Sequence, residues 1–189
     1  MLHELILKNR SYRRFDEADA IEMEVLTSLV DLARCSPSAA NLQPLKYILS
    51  CEPAKNALIF PHLAWAGYIE DWDGPGEGER PSAYIVILGD STIGAKFQYD
   101  AGIAAASILL GAVEQGLGGC MIGSIQRDEL RAALRIPDRF EILLVVALGR
   151  PQERIVLETT GADGDIRYWR DADGVHHVPK RPLDELIIS

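Results

Sequence analysis

Arg10, Arg13 and Arg14 fall within five consecutive positions of the segment NRSYRRF, with the hydroxyl of Ser11 among them. Guanidinium forks and a hydroxyl can hold a phosphate dianion through paired N–H donors and charge-assisted hydrogen bonds. The chain around them is acidic, with a formal net charge of −9. Asp16, Glu17 and Asp19 follow at once, so this is no general basic stretch. It is either a local anion site or a set of solvated arginines at a helix end. Three further stretches carry matching chemistry. PSAANLQP offers Ser38, Asn41 and Gln43, and an amide side chain supplies both donor and acceptor to the edge of a planar heterocycle. MIGSI, from Met121 through Ile122, Gly123 and Ser124, supplies a turn with bare backbone at Gly123. Lys180 and Arg181 add two cations near the end of the chain. Together these groups describe a site for a phosphorylated, ring-containing small ligand.

Other chemistries are excluded by spacing. Gly116 to Gly123 is glycine-rich, but a dinucleotide fingerprint follows a strand and opens a helix, and this stretch does neither. No Walker lysine, HExxH or G-x-S-x-G occurs. His176 and His177 are adjacent in a predicted strand and point to opposite faces, so they form no metal clamp, and no metal site is expected. Cys120 sits in an apolar strand with nothing nearby to lower its pKa, which reads as a core cysteine. Three cysteines without CxxC spacing favour neither a disulfide framework nor zinc and fit a reducing compartment. The acidic balance argues against nucleic acid as a partner. The longest uncharged apolar run, Ala101 to Val113, falls short of the roughly 20 residues a bilayer takes. No membrane association and a cytoplasmic location are expected.

The elements that must position these groups follow from periodicity. Leu2, Leu5 and Ile6 mark a first helix ending near the arginines, and a second is predicted from Ile21 to about Arg34. CSPSAANLQP ends it as a structured loop. LKYILSC, SAYIVILG, GLGGCMIGSI and FEILLVVALG read as strands. Lys96 to Gln115, apolar all round and rich in small residues, predicts a buried helix that approaches a sheet or a second subunit closely. EDWDGPGEGER reads as a mobile surface loop, residues 151–165 as irregular, and IRYWRDADGVHHV as a β-hairpin. Alternating helices and strands predict an α/β or α+β domain with a central sheet of about four or five strands, occupying residues 1–189 as one unit.

NRSYRRFD, CSPSAANLQP, GLGGCMIGSI, VVALGRP and VPKRPLDELI, in that order, resemble the nitroreductase family of FMN-dependent flavoproteins over nearly the whole chain. The resemblance implies an α+β fold with a central, mostly antiparallel sheet flanked by helices, in an intertwined homodimer with two FMN sites at the subunit interface. It places the phosphate and ribityl end on Arg10 and Ser11, and Arg13 near the pyrimidine side of the ring. Pro37, Ser38 and Asn41 match the loop against the flavin, with Gln43 supporting it. Met121, Ile122, Gly123 and Ser124 match the turn over the ring, and Lys180 and Arg181 are expected to close on the phosphate from the partner subunit. A C-terminal hairpin and tail, about residues 165–189, are expected to reach the partner subunit. Arg14 lies outside the motif and is expected to be solvated. The implied activity is hydride transfer from NAD(P)H through flavin N5 to an oxidised acceptor such as a nitroaromatic or quinone, by a ping-pong mechanism. No catalytic side chain is required for it. Reductive dehalogenation, flavin breakdown and non-catalytic FMN binding are the alternatives the resemblance leaves open. The chain departs from the family in carrying Leu45 where Trp is common. Its segment Ile59 to Arg80 is also shorter than the usual substrate-facing insertion.

Overall fold

The computed structural model of the chain describes residues 1–188. In chain order its elements are α1 (Leu2–Lys8), β1 (Phe15–Asp16), α2 (Met23–Arg34), β2 (Leu45–Ser50), α3 (Pro53–Ile59), β3 (Ala83–Asp90) and α4 (Gln98–Glu114). They continue with β4 (Gly118–Ile122), α5 (Arg127–Leu134), β5 (Phe140–Pro151), β6 (Ile155–Thr159), β7 (Trp169–Arg170), β8 (His176–Lys180) and α6 (Leu183–Leu186).

Strand β3 fixes the layering. All eight of its residues are buried, as its unbroken apolar run predicts. Ile85 and Ile87 face one core, with Leu26 and Leu29 of α2 and Ala105 and Ile108 of α4. Tyr84, Val86 and Leu88 face the other, with Ile59, Trp65 and Leu130. Period-2 alternation in a doubly covered strand requires this division. The main sheet has five strands, and every pairing in it is antiparallel: β2 with β3, β3 with β5, and β4 and β1 with β5. This is the α+β arrangement the sequence predicts.

Helix α2 ends where Pro37 forbids continuation. It packs on α4 at Gly111, where a Cβ would meet Leu32 Cδ1 at 2.3 Å. The small residues of α4 therefore serve this helix pair. The expectation that α4 is buried all round holds for only part of its surface. Tyr99, Gly102, Ile103 and Ala106 form an exposed stripe at helical spacing, with Tyr99 80% exposed.

Two other expectations are corrected. Residues 155–159 are not irregular but form β6, which pairs in parallel with β8 in a second, three-stranded sheet. Their partner lies beyond a hairpin, and local pattern carries no trace of that pairing. The predicted hairpin itself is present as β7 and β8, turning at Asp171–Gly174. The charged loop at 70–80 is tied down rather than free. Phe15 N–H donates to the Glu79 carbonyl (2.9 Å), Gly78 N–H donates to the Glu17 carboxylate (2.6 Å), and Arg14 forms a two-point ion pair with the Glu79 carboxylate. Arg14 is therefore a loop anchor, not a solvated cation. Among the described residues no helix is long and apolar enough to cross a membrane.

Candidate cofactor site

The arginine segment lies directly against β4. Ser11 forms a bridge with Gly119, and Tyr12 N–H donates to the Gly119 carbonyl at 3.1 Å. A Cβ at Gly119 would sit 2.2 Å from the Ala147 carbonyl oxygen, and one at Gly118 would sit 2.5 Å from the Tyr12 ring. The double glycine thus lets two backbones close on each other, which is why it need not cradle a ligand.

Arg10, Ser11, Arg13, Met121, His176 and Lys180 line one cavity of about 310 Å³. Among the described residues no carboxylate lines it. Arg10 donates through Nη2 to the Ile6 carbonyl (2.8 Å), in the last turn of α1, while its buried Nε has no partner. Lys180 reaches this cavity from β8 of the same chain, whereas the family resemblance implies that the partner subunit supplies it. The parallel pairing of β6 with β8 brings it there. Arg181 does not join: it turns to Glu185 at 3.4 Å and stays half exposed. Arg181 follows the last residue of β8 and leads into α6, where Glu185 takes its side chain.

A neighbouring cavity of about 210 Å³ is lined by Met121, Ile122, Gly123 and Ser124, facing Trp65 and Tyr168. Arg13, Met121 and Tyr168 line both cavities, so the two are lobes of one site. A Cβ at Gly123 would meet only Leu144 Cδ2, at 3.9 Å, and this stretch of backbone is exposed to the second lobe.

Arg13 is held in place by groups sequence reasoning missed. Its backbone N–H donates to the Glu153 carboxylate, which also accepts from Arg14 N–H (3.3 Å) and Arg170 (3.1 Å). The Glu153 side chain is only 1% exposed, so its charge is balanced by Arg170 inside the fold. The Arg13 guanidinium donates to the Ser11 carbonyl and to His176 Nε2, each at 3.3 Å, and lies 4.8 Å over the Tyr168 ring. Burial first, then the charges of Arg13, Arg170 and His177, lower the His176 pKa to about 4. His177 faces the other way, between Glu158 and Asp171, whose carboxylates raise its pKa. Burial pushes the Cys120 thiol up to about 12, so it is no nucleophile. Among the described residues no three His, Cys, Asp or Glu side chains gather as a metal site.

Pro37, Ser38 and Gln43 line a separate cavity of about 220 Å³, together with Asp100 at the start of α4. The Ser38 hydroxyl donates to Asp100 Oδ2 (2.5 Å) and accepts from Gln43 N–H (2.9 Å), and Ala39 N–H donates to Asp100 Oδ1 (3.0 Å). Gln43 Nε2 donates to the Asn41 carbonyl at 3.1 Å. Ala40, Asn41 and Gln43 all have positive φ, near 50–55°. Three non-glycine residues in the left-handed region within four positions need such a framework to persist. Asp100 is 4% exposed and supplies it, yet a lone acid in an apolar helix gave only a weak signal in the sequence. Within one chain this loop does not share a cavity with Arg10. Tyr68, Trp72 and Tyr99 line neither lobe. Tyr68 packs on Tyr168 (4.9 Å), and Trp72 lies under Arg170 (4.7 Å).

The chain thus has a three-layer α+β fold with a cation-lined, two-lobed cavity beside its sheet. The sequence profile of the Nitroreductase family matches residues 6–150, and the chain belongs to that family of oxidoreductases. It is 27% identical over 156 residues to a Methanothermobacter thermautotrophicus protein named NADH dehydrogenase/NAD(P)H nitroreductase, a match covering 79% of this chain and 77% of that protein. A nitroreductase family protein of Streptococcus pneumoniae has the same fold at TM-score 0.73 and 19% identity, with 100% of both chains covered. An FMN-dependent nitroreductase of Clostridium difficile has it at TM-score 0.63 and 23% identity, covering 79% of this chain and 87% of its own.

Proposed function

We propose that the chain is an FMN-dependent oxidoreductase that takes reducing equivalents from NAD(P)H and passes them to an oxidised acceptor, a nitroaromatic or quinone, by a ping-pong cycle. The observation that carries this reading is the lobe where Arg10, Arg13 and Lys180 converge with no carboxylate of the described residues in the lining. Three cations facing one cavity of an acidic chain call for a compensating anion, and the buried, orphaned Nε–H of half-buried Arg10 calls for an acceptor. A phosphate satisfies both. Arg10, Ser11 and Lys180 hold it, and Arg13 faces the pyrimidine edge of the ring. Met121 to Ser124 present backbone to the ring in the second lobe. Bound FMN supplies the hydride relay through N5, while the chain supplies orientation and electrostatic stabilisation.

The loop Pro37–Gln43 completes the site from a second copy of the chain. Its remoteness from Arg10 within one chain and the open stripe Tyr99, Gly102, Ile103 and Ala106 on α4 support this homodimer. The exposed apolar tail, with Leu183 70% and Leu186 62% exposed, supports a C-terminal contact with the partner.

Purified protein loaded with FMN should be yellow and dimeric by light scattering. NADH or NADPH added without air should bleach it, and a nitroaromatic or quinone should restore the colour. A protein that takes up no FMN defeats the reading. One that stays yellow with both nicotinamides is a flavin-binding protein of another kind.

A further inference from the structure

Arg13 is a cation without a carboxylate on its guanidinium. Among the described residues it joins no ion pair, and its side chain is held by a carbonyl, an imidazole and an aromatic face. The buried acid beside it, Glu153, takes the Arg13 backbone N–H and pairs with Arg170. A guanidinium only donates, so His176 Nε2 must accept, and the proton of the neutral ring sits on Nδ1. Nδ1 has no partner although His176 is 1% exposed. A buried N–H without an acceptor is unfavourable to the fold, so packing alone does not account for an imidazole here. The Arg13 and Arg170 guanidinium groups, with His177 behind on the opposite strand face, all disfavour a second proton on the ring.

We propose that His176 is a positioning residue, a neutral acceptor that orients the Arg13 guanidinium toward the flavin and leaves its charge unneutralised. This rests on the FMN reading above. Reduction places negative charge on the N1 and C2 carbonyl edge of the ring, and a cation there stabilises the reduced state. A carboxylate in place of His176 would fix Arg13 equally well but would cancel its field. A neutral acceptor fixes the geometry and keeps the field.

The test is a redox titration of the FMN-loaded protein. His176→Gln keeps a neutral acceptor and should leave the midpoint potential near that of the wild type. His176→Asp should shift it negative, toward the value of Arg13→Gln. His176→Phe should also shift it negative, because Arg13 loses its acceptor. In an Arg13→Gln background, His176→Phe should shift it no further. A wild-type potential in His176→Asp overturns the inference, and so does an undiminished effect of His176→Phe without Arg13. If His176→Asp does not fold, the two Phe variants decide. A wild-type protein that takes up no FMN is seen before any titration and overturns the cofactor reading together with this inference.

Discussion

Arg10, Arg13 and Lys180 converge on a cavity with no carboxylate of the described residues in its lining, whereas Ser38 and Gln43 line one whose loop is stapled by the carboxylate of Asp100. The first region holds charge in reserve. Its buried acid, Glu153, is spent on Arg170 and on backbone N–H groups, not on the guanidinium of Arg13. The second region spends its acid on geometry, since Asp100 fixes a loop with three left-handed non-glycine residues. An anion-binding half must keep its cations unpaired, because a paired guanidinium offers little field to a ligand. A half that presents backbone and amides needs rigidity, and a buried, multiply hydrogen-bonded carboxylate provides that.

The largest test of this contrast is acid stability. His176 takes a proton near 6.5 in the unfolded chain but only near about 4 when folded. Between those values the unfolded state binds more protons, so stability rises with pH and falls as pH drops. Wild type should lose on the order of 3 kcal/mol relative to His176→Phe across that window in denaturant titrations. Equal pH profiles would remove the neutral histidine from the first region. Next, Arg10→Ala should weaken FMN binding by about 1.5–3 kcal/mol, roughly 10- to 150-fold in Kd, measured by flavin fluorescence quenching. An unchanged Kd would dissolve the anion-binding half. Asp100→Ala should destabilise the fold by about 1–2 kcal/mol, since it orphans the Ser38 hydroxyl and the Ala39 N–H. Protease cutting within residues 37–43 should rise with it, and a wild-type cutting rate would mean that the loop holds itself. Arg14→Ala removes an ion pair about one-third exposed and should cost below about 1 kcal/mol, leaving the FMN Kd unchanged. Equal losses in Arg14→Ala and Arg10→Ala would erase the distinction between a ligand cation and a loop anchor.

Much of the framework was legible. The buried strands β3 and β5, the helices α2 and α4 and the turn Asp171–Gly174 each announce themselves through periodicity or turn chemistry within a short window. Arg10, Ser11 and Arg13 were legible as a candidate anion site because their types and spacing suit a phosphate, and the structure brings all three to one cavity. Glu153 and His176 were not, because they meet Arg13 across 140 and 163 positions of chain. Arg14 and Arg181 look like their neighbours in sequence. Glu79 claims the one, and Glu185 turns away the other.

The amino-acid sequence by itself determined the main helices and the buried strands, because these depend on side-chain type and local period, while the antiparallel order of the sheet followed only from the family resemblance. Tertiary structure alone decided which cations face the cavity. It also decided that Lys180 arrives from the same chain through the β6–β8 pairing, and that a neutral histidine instead of an acid meets Arg13. Those outcomes depend on which distant groups share a low-dielectric space, where a single charge too many or too few outweighs any local preference.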